Sequence, residues 1–206
     1  GDLTLLEKEV NPVISALEEA GIEITALHNH FFNTEPRIMY MHISCMGDAR
    51  QLATGVRKAL ERTGYLTGKN TIRKPPLLTI NTERVEEIIG KKGVLSGGTF
   101  KITIGRTGVT MDGVDITSSM GLNSWVSFIG TETRAHVAGD VVMSANEVNN
   151  VIKAMRTGGI EIVAVHNHML NEQPRVFFLH YWGTGSADKL AQTVKNAFDQ
   201  AQGPIR

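Results

Sequence analysis

Apolar residues along this chain run in two rhythms, and the order of those rhythms is the same near its start and near its end. Val13, Ile14 and Leu17 form a helical stripe that opens at Asn11-Pro12, as N-cap and first helical residue, and closes at Gly21. Ile22, Ile24 and Ala26 then alternate with Glu23 and Thr25, which predicts a strand over 22–30 whose apolar face continues into His28 and His30. A Pro-Arg turn returns the chain as a partner strand from Ile38 to Ser44, and Gly47-Asp48 caps a helix with Leu52, Val56, Ala59 and Leu60 at helical spacing. The same helix, hairpin and helix are predicted later, where Gly158-Gly159 closes the first helix and Ser186 caps the second, which carries Leu190, Val194, Ala197 and Phe198.

The later copy has a leading part of its own. From Leu77 the pattern predicts a short strand, a small helix over Thr82 to Ile89, and strands over Phe100 to Ile104, Val109 to Met111 and Val114 to Ile116, the last two joined by an Asp112-Gly113 hairpin turn. Trp125 to Ile129 and His136 to Met143, separated by a turn at Gly130-Thr131, complete a mostly antiparallel sheet, so the expected class is α+β. Residues 1–8 match the end of the 135–143 strand. The expected organisation is therefore 1–68 as the second half of repeat one, 69–76 as a polar linker ending in Pro75-Pro76, and 77–206 as a complete repeat two. On this reading the missing half-repeat reflects processing or truncation, and the two modules pack as a pseudo-symmetric pair.

The repeat is sharpest where it is most polar. His28-Asn29-His30, Asn33, Pro36-Arg37 and His42 recur as His166-Asn167-His168, Asn171, Pro174-Arg175 and His180, each 138 residues later and without a gap. In an extended segment His-x-His places both imidazoles on one face. If Asn33 to Arg37 is the hairpin connection, His30 falls opposite His42 and His28 opposite Ser44, and three imidazoles converge. Three nitrogens beside an apolar face suit a divalent transition metal, zinc first, then copper or iron, with one position left for water or substrate. The candidate ligands are thus His28, His30 and His42 in one copy and His166, His168 and His180 in the other. The bland alternative is imidazoles pinned by backbone and carboxylates, but two copies that differ at Phe31, Phe32, Thr34 and Glu35 while keeping all three histidines ask for more explanation than that.

Around the histidines the sequence offers less. Arg37 and Arg175 follow proline at the end of each connection, where a guanidinium could hold a carboxylate or phosphate, or form a local salt bridge such as Arg37 with Glu35. Asp2 and Asp140 also repeat and could orient an imidazole N–H, or could simply end a strand. No catalytic base repeats, since Glu35 aligns with Gln173 and Glu172 with Thr34. His136 has no counterpart and reads as a satisfied core residue. Gly90-Lys91-Lys92-Gly93 and Gly97-Gly98 lack the Gly-Lys-Ser/Thr of a phosphate loop and read as turns. The literal His-Asn-His is not the nuclease motif of that name, whose letters stand for residues spread over a ββα hairpin.

Composition narrows partners more than chemistry. The chain has 206 residues, 41% hydrophobic, with 21 basic and 21 acidic side chains, enough length for a real core and no basic face for nucleic acid. No apolar run reaches membrane-spanning length. Its one cysteine excludes an internal disulfide, and Cys45, which aligns with Gly183, reads as a small buried apolar side chain rather than a shared ligand.

At Gly139-Asp140, Glu147-Val148-Asn149, Ala164-Val165-His166-Asn167-His168, Pro174-Arg175 and Phe178-Leu179-His180-Tyr181-Trp182, together with Gly121-Leu122-Asn123-Ser124-Trp125 and Gly90-Lys91-Lys92-Gly93, the chain resembles the LppY/LpqO-like family, a domain of unknown function named for two lipoproteins. That resemblance covers nearly the whole chain, implies an extracytoplasmic location and supplies no settled activity. The residues themselves point to a metal-binding protein with duplicated three-histidine sites, working as a metal-dependent hydrolase of a small anionic substrate, with a non-catalytic metal- or ligand-binding module as the alternative.

Overall fold

The computed structural model describes residues 1–64, 66 and 77–205, and the predicted linker 69–76 lies outside them. The class is α+β with mostly antiparallel sheets, as the pattern predicts. Contacts divide the chain into two compact units, Gly1–Arg73 with Asn167–Leu170, and Lys74–His166 with Asn171–Arg206.

The first unit is built on a three-stranded antiparallel sheet of β1 (Asp2–Leu6), β2 (Glu23–His28) and β3 (Ile38–Ser44), with β3 in the middle. α1 (Val10–Glu19) and α2 (Ala49–Leu60) close its core of Leu5, Val10, Val13, Leu17, Ile22, Met41, Ile43 and Ala59, with Cys45 partly buried against it. α1 begins before the expected Asn11 cap, because a 3-10 turn at Glu7–Glu9, in which the Glu9 carboxylate accepts the Leu6 N–H at 2.9 Å, runs directly into it. Pro12 therefore sits inside the first turn, where no N–H is needed. Gly21, at φ +70°, ends the helix as expected, and Asp48 caps α2 by accepting the Gln51 N–H.

The hairpin register differs from the expected one. β2 stops at His28, His42 faces Ala26, and His28 faces Tyr40. Residues 29–37 all belong to the connection, so His30 lies just past the strand rather than on it. The displacement is from His30 to Ala26, an even number of positions, so every side chain keeps its face. His28 and His42 consequently remain on one face as diagonal neighbours. A bulge between Ile24 and Ala26 shifts the alternation and buries Thr25.

The second unit contains β4 (Leu78–Thr79), α3 (Thr82–Ile89), β5 (Gly93–Ser96), β6 (Thr99–Gly105), β7 (Thr110–Met111), β8 (Val114–Asp115), β9 (Asn123–Thr131), β10 (Ala135–Ser144), α4 (Val148–Thr157), β11 (Glu161–His166), β12 (Val176–Gly185) and α5 (Ala187–Phe198). Its main sheet runs β11-β12-β10-β9-β6-β5, with β4 parallel to β9. Phe100, Ile102, Val126, Phe128, Val137, Val141, Leu179 and Tyr181 meet Val85, Ile89, Val151, Met155, Leu190 and Val194 of α3, α4 and α5 in one core. β5 was not expected, because its Val94 and Leu95 are exposed and show no alternation. Gly97-Gly98, both at positive φ, turn β5 into β6, and Gly90 ends α3, so neither glycine pair forms a phosphate loop. Asp112-Gly113 turns β7 into β8 as predicted, whereas the β9–β10 turn is made by 132–134, just after Gly130-Thr131, and is closed by backbone hydrogen bonds between Thr131 and Arg134.

The β11–β12 register repeats the first hairpin at the 138-residue offset, with Ala164 facing His180 and His166 facing Phe178. Buried Arg106 ties the C-terminal segment to this unit: its guanidinium donates to the Glu147 carboxylate at 2.7 and 3.1 Å and to the carbonyls of Val142, Gln202 and Gly203.

Candidate metal centre

In the first unit β2 and β3 bring His28 and His42 to one face, with ring centroids 4.9 Å apart. His30 lies 5.3 Å from His28 and stacks face to face on Tyr40 at 3.4 Å. A fourth imidazole belongs to the same unit: His168 lies 4.1 Å from the His42 ring. Two side chains hold the backbone around it. The Thr25 hydroxyl donates to the His168 carbonyl at 2.5 Å, and the Asn167 amide donates to the Thr25 carbonyl at 2.9 Å and to the Met169 carbonyl at 2.8 Å. Asn29 makes the corresponding local bond to the Phe31 carbonyl at 3.0 Å.

Asp2 sits directly opposite His42 across β1 and β3, with Oδ1 3.9 Å from Nδ1. Burial lowers the His42 pKa to about 2, helped by the neighbouring His168 and His28 and by the N-terminal amino group, and opposed by a hydrogen bond to the Gly1 backbone. His42 is therefore a neutral imidazole, the form that can act as a ligand. Burial and the Asp2 charge push the Tyr40 hydroxyl up, so it stays protonated.

The second unit places His166 and His180 in a stack at 4.5 Å and 13°. Asp140 is opposite His180 in the register, with Oδ1 3.9 Å from Nδ1, and both side chains are buried. His180 Nδ1–H donates to the Gly139 carbonyl at 3.1 Å, which turns the Nε2 lone pair away from the strand. The preceding Gly139 has a reason of its own. A Cβ there would lie 2.2 Å from both the Tyr181 hydroxyl and the Trp125 carbonyl, which hydrogen-bond to each other at 3.1 Å. Only glycine lets Tyr181 cross β10, so the Gly-Asp pair couples core packing to the aspartate beside His180. Burial, then the Asp140 charge, raises the Tyr181 pKa well above the ordinary phenol value.

The Nε2 atoms of His28, His30, His42, His166, His168 and His180 are all buried. These six imidazoles and Asp140 could hold a metal ion, and a set rich in imidazole nitrogen suits zinc, copper or iron better than calcium or magnesium.

The remaining sequence candidates are more peripheral. Arg37 and Arg175 are exposed, and Arg175 Nη1 lies 3.4 Å from Glu172 Oε1. His136 is half-buried rather than in the core; its Nδ1 bonds Thr184 Oγ1 at 2.9 Å and its ring stacks on Trp182. Two further residues stand out, Glu172, which the sequence sets aside because it is not repeated, and Thr25, which it marks only as a polar strand position. Glu172 is buried, its Oε1 accepts the Val176 N–H, and its Oε2 has no hydrogen-bond partner among the described residues. In the first unit Thr34 accepts the Ile38 N–H in the same way. Thr25 is the other, a buried hydroxyl where the second copy has Val163. In both cases the signal in the sequence is a difference between the two copies.

No helix among the described residues is long and apolar enough to cross a membrane. A search of curated proteins returns no match to the chain. A family model described as Domain of Unknown Function (DUF1259) matches residues 1–62 and 83–200. With most of its length covered, the chain belongs to the DUF1259 family.

Proposed function

We propose that this protein binds divalent transition metal, zinc first, through histidine centres in both units. The observation that carries the reading is one arrangement seen in each unit: a buried histidine faces an aspartate across the sheet, Nδ1 to Oδ1 3.9 Å, and a second imidazole stacks on it within 5 Å. A neutral imidazole oriented through Nδ1 presents Nε2 to an ion, and the carboxylate makes it a better donor. His28, His30 and His42, and His166, His168 and His180, are the proposed ligands, with Asp2 and Asp140 as the carboxylates behind them.

The activity we infer is hydrolysis of a small anionic substrate. A divalent ion supplies Lewis acidity and acidifies bound water. Arg37 and Arg175, exposed at the ends of the two connections, would hold the anion. One observation favours the non-catalytic alternative: all six imidazole Nε2 atoms are buried, which suits an ion held for storage or stability. We also propose LppY/LpqO-like kinship and, with it, an extracytoplasmic location, supported by the motifs from Gly139-Asp140 to Trp182.

Zinc titration against a chromophoric chelator, followed by assays of the loaded protein on p-nitrophenyl phosphate and p-nitrophenyl acetate, tests both levels. Tight zinc binding with hydrolysis abolished by Arg37→Ala or Arg175→Ala supports the enzyme. Tight binding with no turnover supports the module. Failure to bind zinc, copper or iron removes the metal reading altogether.

A further inference from the structure

We infer that the open face of the second unit's main sheet carries a subsite for the ring of an aromatic anion, set beside His180 and Asp140. This names the substrate class for the hydrolase reading above and rests on it. α3, α4 and α5 pack on one face of the sheet, against Ile102, Val126, Val137 and Tyr181. The alternate positions of the same strands form the opposite face, and the strand register lays them out as a grid. One row across β12, β10, β9 and β6 is Trp182, Ala138, Ser127 and Lys101. The row on one side of it holds His180, Asp140 and Trp125, and the row on the other holds His136 and Ile129.

The centre of this grid is low and its rim is high. Ala138 and Ser127 are small, lie directly opposite each other, and are only half-buried, so solvent reaches them. An antiparallel sheet face open to water ordinarily carries scattered polar side chains. Here both tryptophans of the chain stand at opposite corners of that small pair, and each has a companion. The His136 ring stacks on Trp182 at 5.5 Å, and the Lys101 ammonium lies 4.2 Å from the centre of the Trp125 ring. β12 and β9 flank β10, so the two indoles rise from strands about 9.6 Å apart, twice the usual spacing of roughly 4.8 Å. A ring seated over Ala138 and Ser127 thus comes within the roughly 4.5 to 7 Å of each indole that aromatic pairs prefer. Trp125 is directly opposite Asp140, so Lys101, exposed and leaning over that indole, sets its charge on the metal side of the pit, where the anionic group belongs. An aromatic-walled depression with a few polar groups at one end is the usual form of a small-molecule subsite. The first unit does not share it, since Ser44 stands at the position equivalent to Trp182.

The two tryptophans make the pit its own reporter. The full chain, with and without Zn²⁺, is titrated with phenylphosphonate, which carries a ring and an anion but no ester bond, while tryptophan fluorescence is followed. Methylphosphonate and benzyl alcohol are the ringless and uncharged controls. Phenylphosphonate should change the emission saturably and bind about tenfold more tightly than either control. Ala138→Leu, which fills the floor, and Lys101→Ala, which removes the cation, should each weaken it about tenfold. Urea midpoints confirm that the variants fold, and Lys101→Ala, at an exposed position, keeps the test decisive if Ala138→Leu does not. No response, an equal response to methylphosphonate, or a response that neither substitution weakens overturns the subsite. If phenylphosphonate binds as stated but the zinc-loaded protein turns over no aryl ester, the subsite stands as a binding site and the hydrolase reading falls. If the loaded protein hydrolyses p-nitrophenyl phosphate and Ala138→Leu leaves KM unchanged, the hydrolase reading stands and the subsite falls.

Discussion

Asp140 and His180 face each other across β10 and β12 with 3.9 Å between Oδ1 and Nδ1, and both side chains are 3% exposed; Asp2 and His42 repeat that pairing and distance, but Asp2 is 46% exposed. Equal geometry in unequal surroundings gives unequal electrostatics, because water screens the outer carboxylate and leaves the buried one at full effect. Asp140→Asn should therefore weaken metal binding by about 10- to 100-fold and Asp2→Asn by only a few-fold. Competition titrations of the two variants decide it, and equal losses would show that burial of the carboxylate is irrelevant.

Gly139 makes the same strand sensitive to a single methyl group. Gly139→Ala puts a Cβ 2.2 Å from the Tyr181 hydroxyl and from the Trp125 carbonyl, and the second of these is backbone that cannot swing aside. Overpacking of this kind should cost about 2 kcal/mol or more. Urea unfolding of the metal-free protein measures it. Gly139→Ala combined with Tyr181→Phe should recover only part of the loss, since the Trp125 carbonyl remains.

Acid should destabilise the metal-free protein. His42 has its folded pKa lowered to about 2 by burial, then by His168 and His28, against an ordinary value of 6.5. The unfolded chain therefore binds more protons than the folded one between these values. Its contribution is fully present above 6.5 and is lost as pH falls toward 2. Urea midpoints at pH 7.5, 6 and 5 should decrease in that order, with a shallower decline in His42→Phe. A midpoint that rises on acidification would show that His42 is not held neutral in the fold.

Arg106→Met should destabilise the second unit by about 3 to 5 kcal/mol, because it leaves Glu147 without its buried guanidinium partner. It should also release the chain near Gln202 and Gly203, whose carbonyls accept from the same side chain. Hydrogen exchange should speed up at those residues and at the start of α4. Unchanged exchange there would mean that the C-terminal segment is held by other contacts.

The helices and most strands were legible because apolar periodicity and local punctuation agree at them, as at Gly21, Asp48 and Asp112-Gly113. The shared face of His28 and His42 was legible too, because parity along a strand survives an even displacement of register. The register itself was not, since centring the turn on Pro36 ignores how early β2 stops, and nothing in residues 29–33 marks that end. β5 escaped because an edge strand with exposed Val94 and Leu95 shows no alternation. Placement of His168 in the first unit was invisible for a different reason: it depends on Thr25, 143 residues away, and on no pattern local to either residue.

Elemental analysis of protein purified without chelator or affinity nickel decides whether the histidines hold a metal. We predict near-stoichiometric zinc, copper or iron, reduced by His42→Ala and again by His180→Ala. Metal-free protein that also refuses added Zn²⁺ would contradict the account, leaving the histidines as structural residues and Arg37 and Arg175 as the place to look for a ligand.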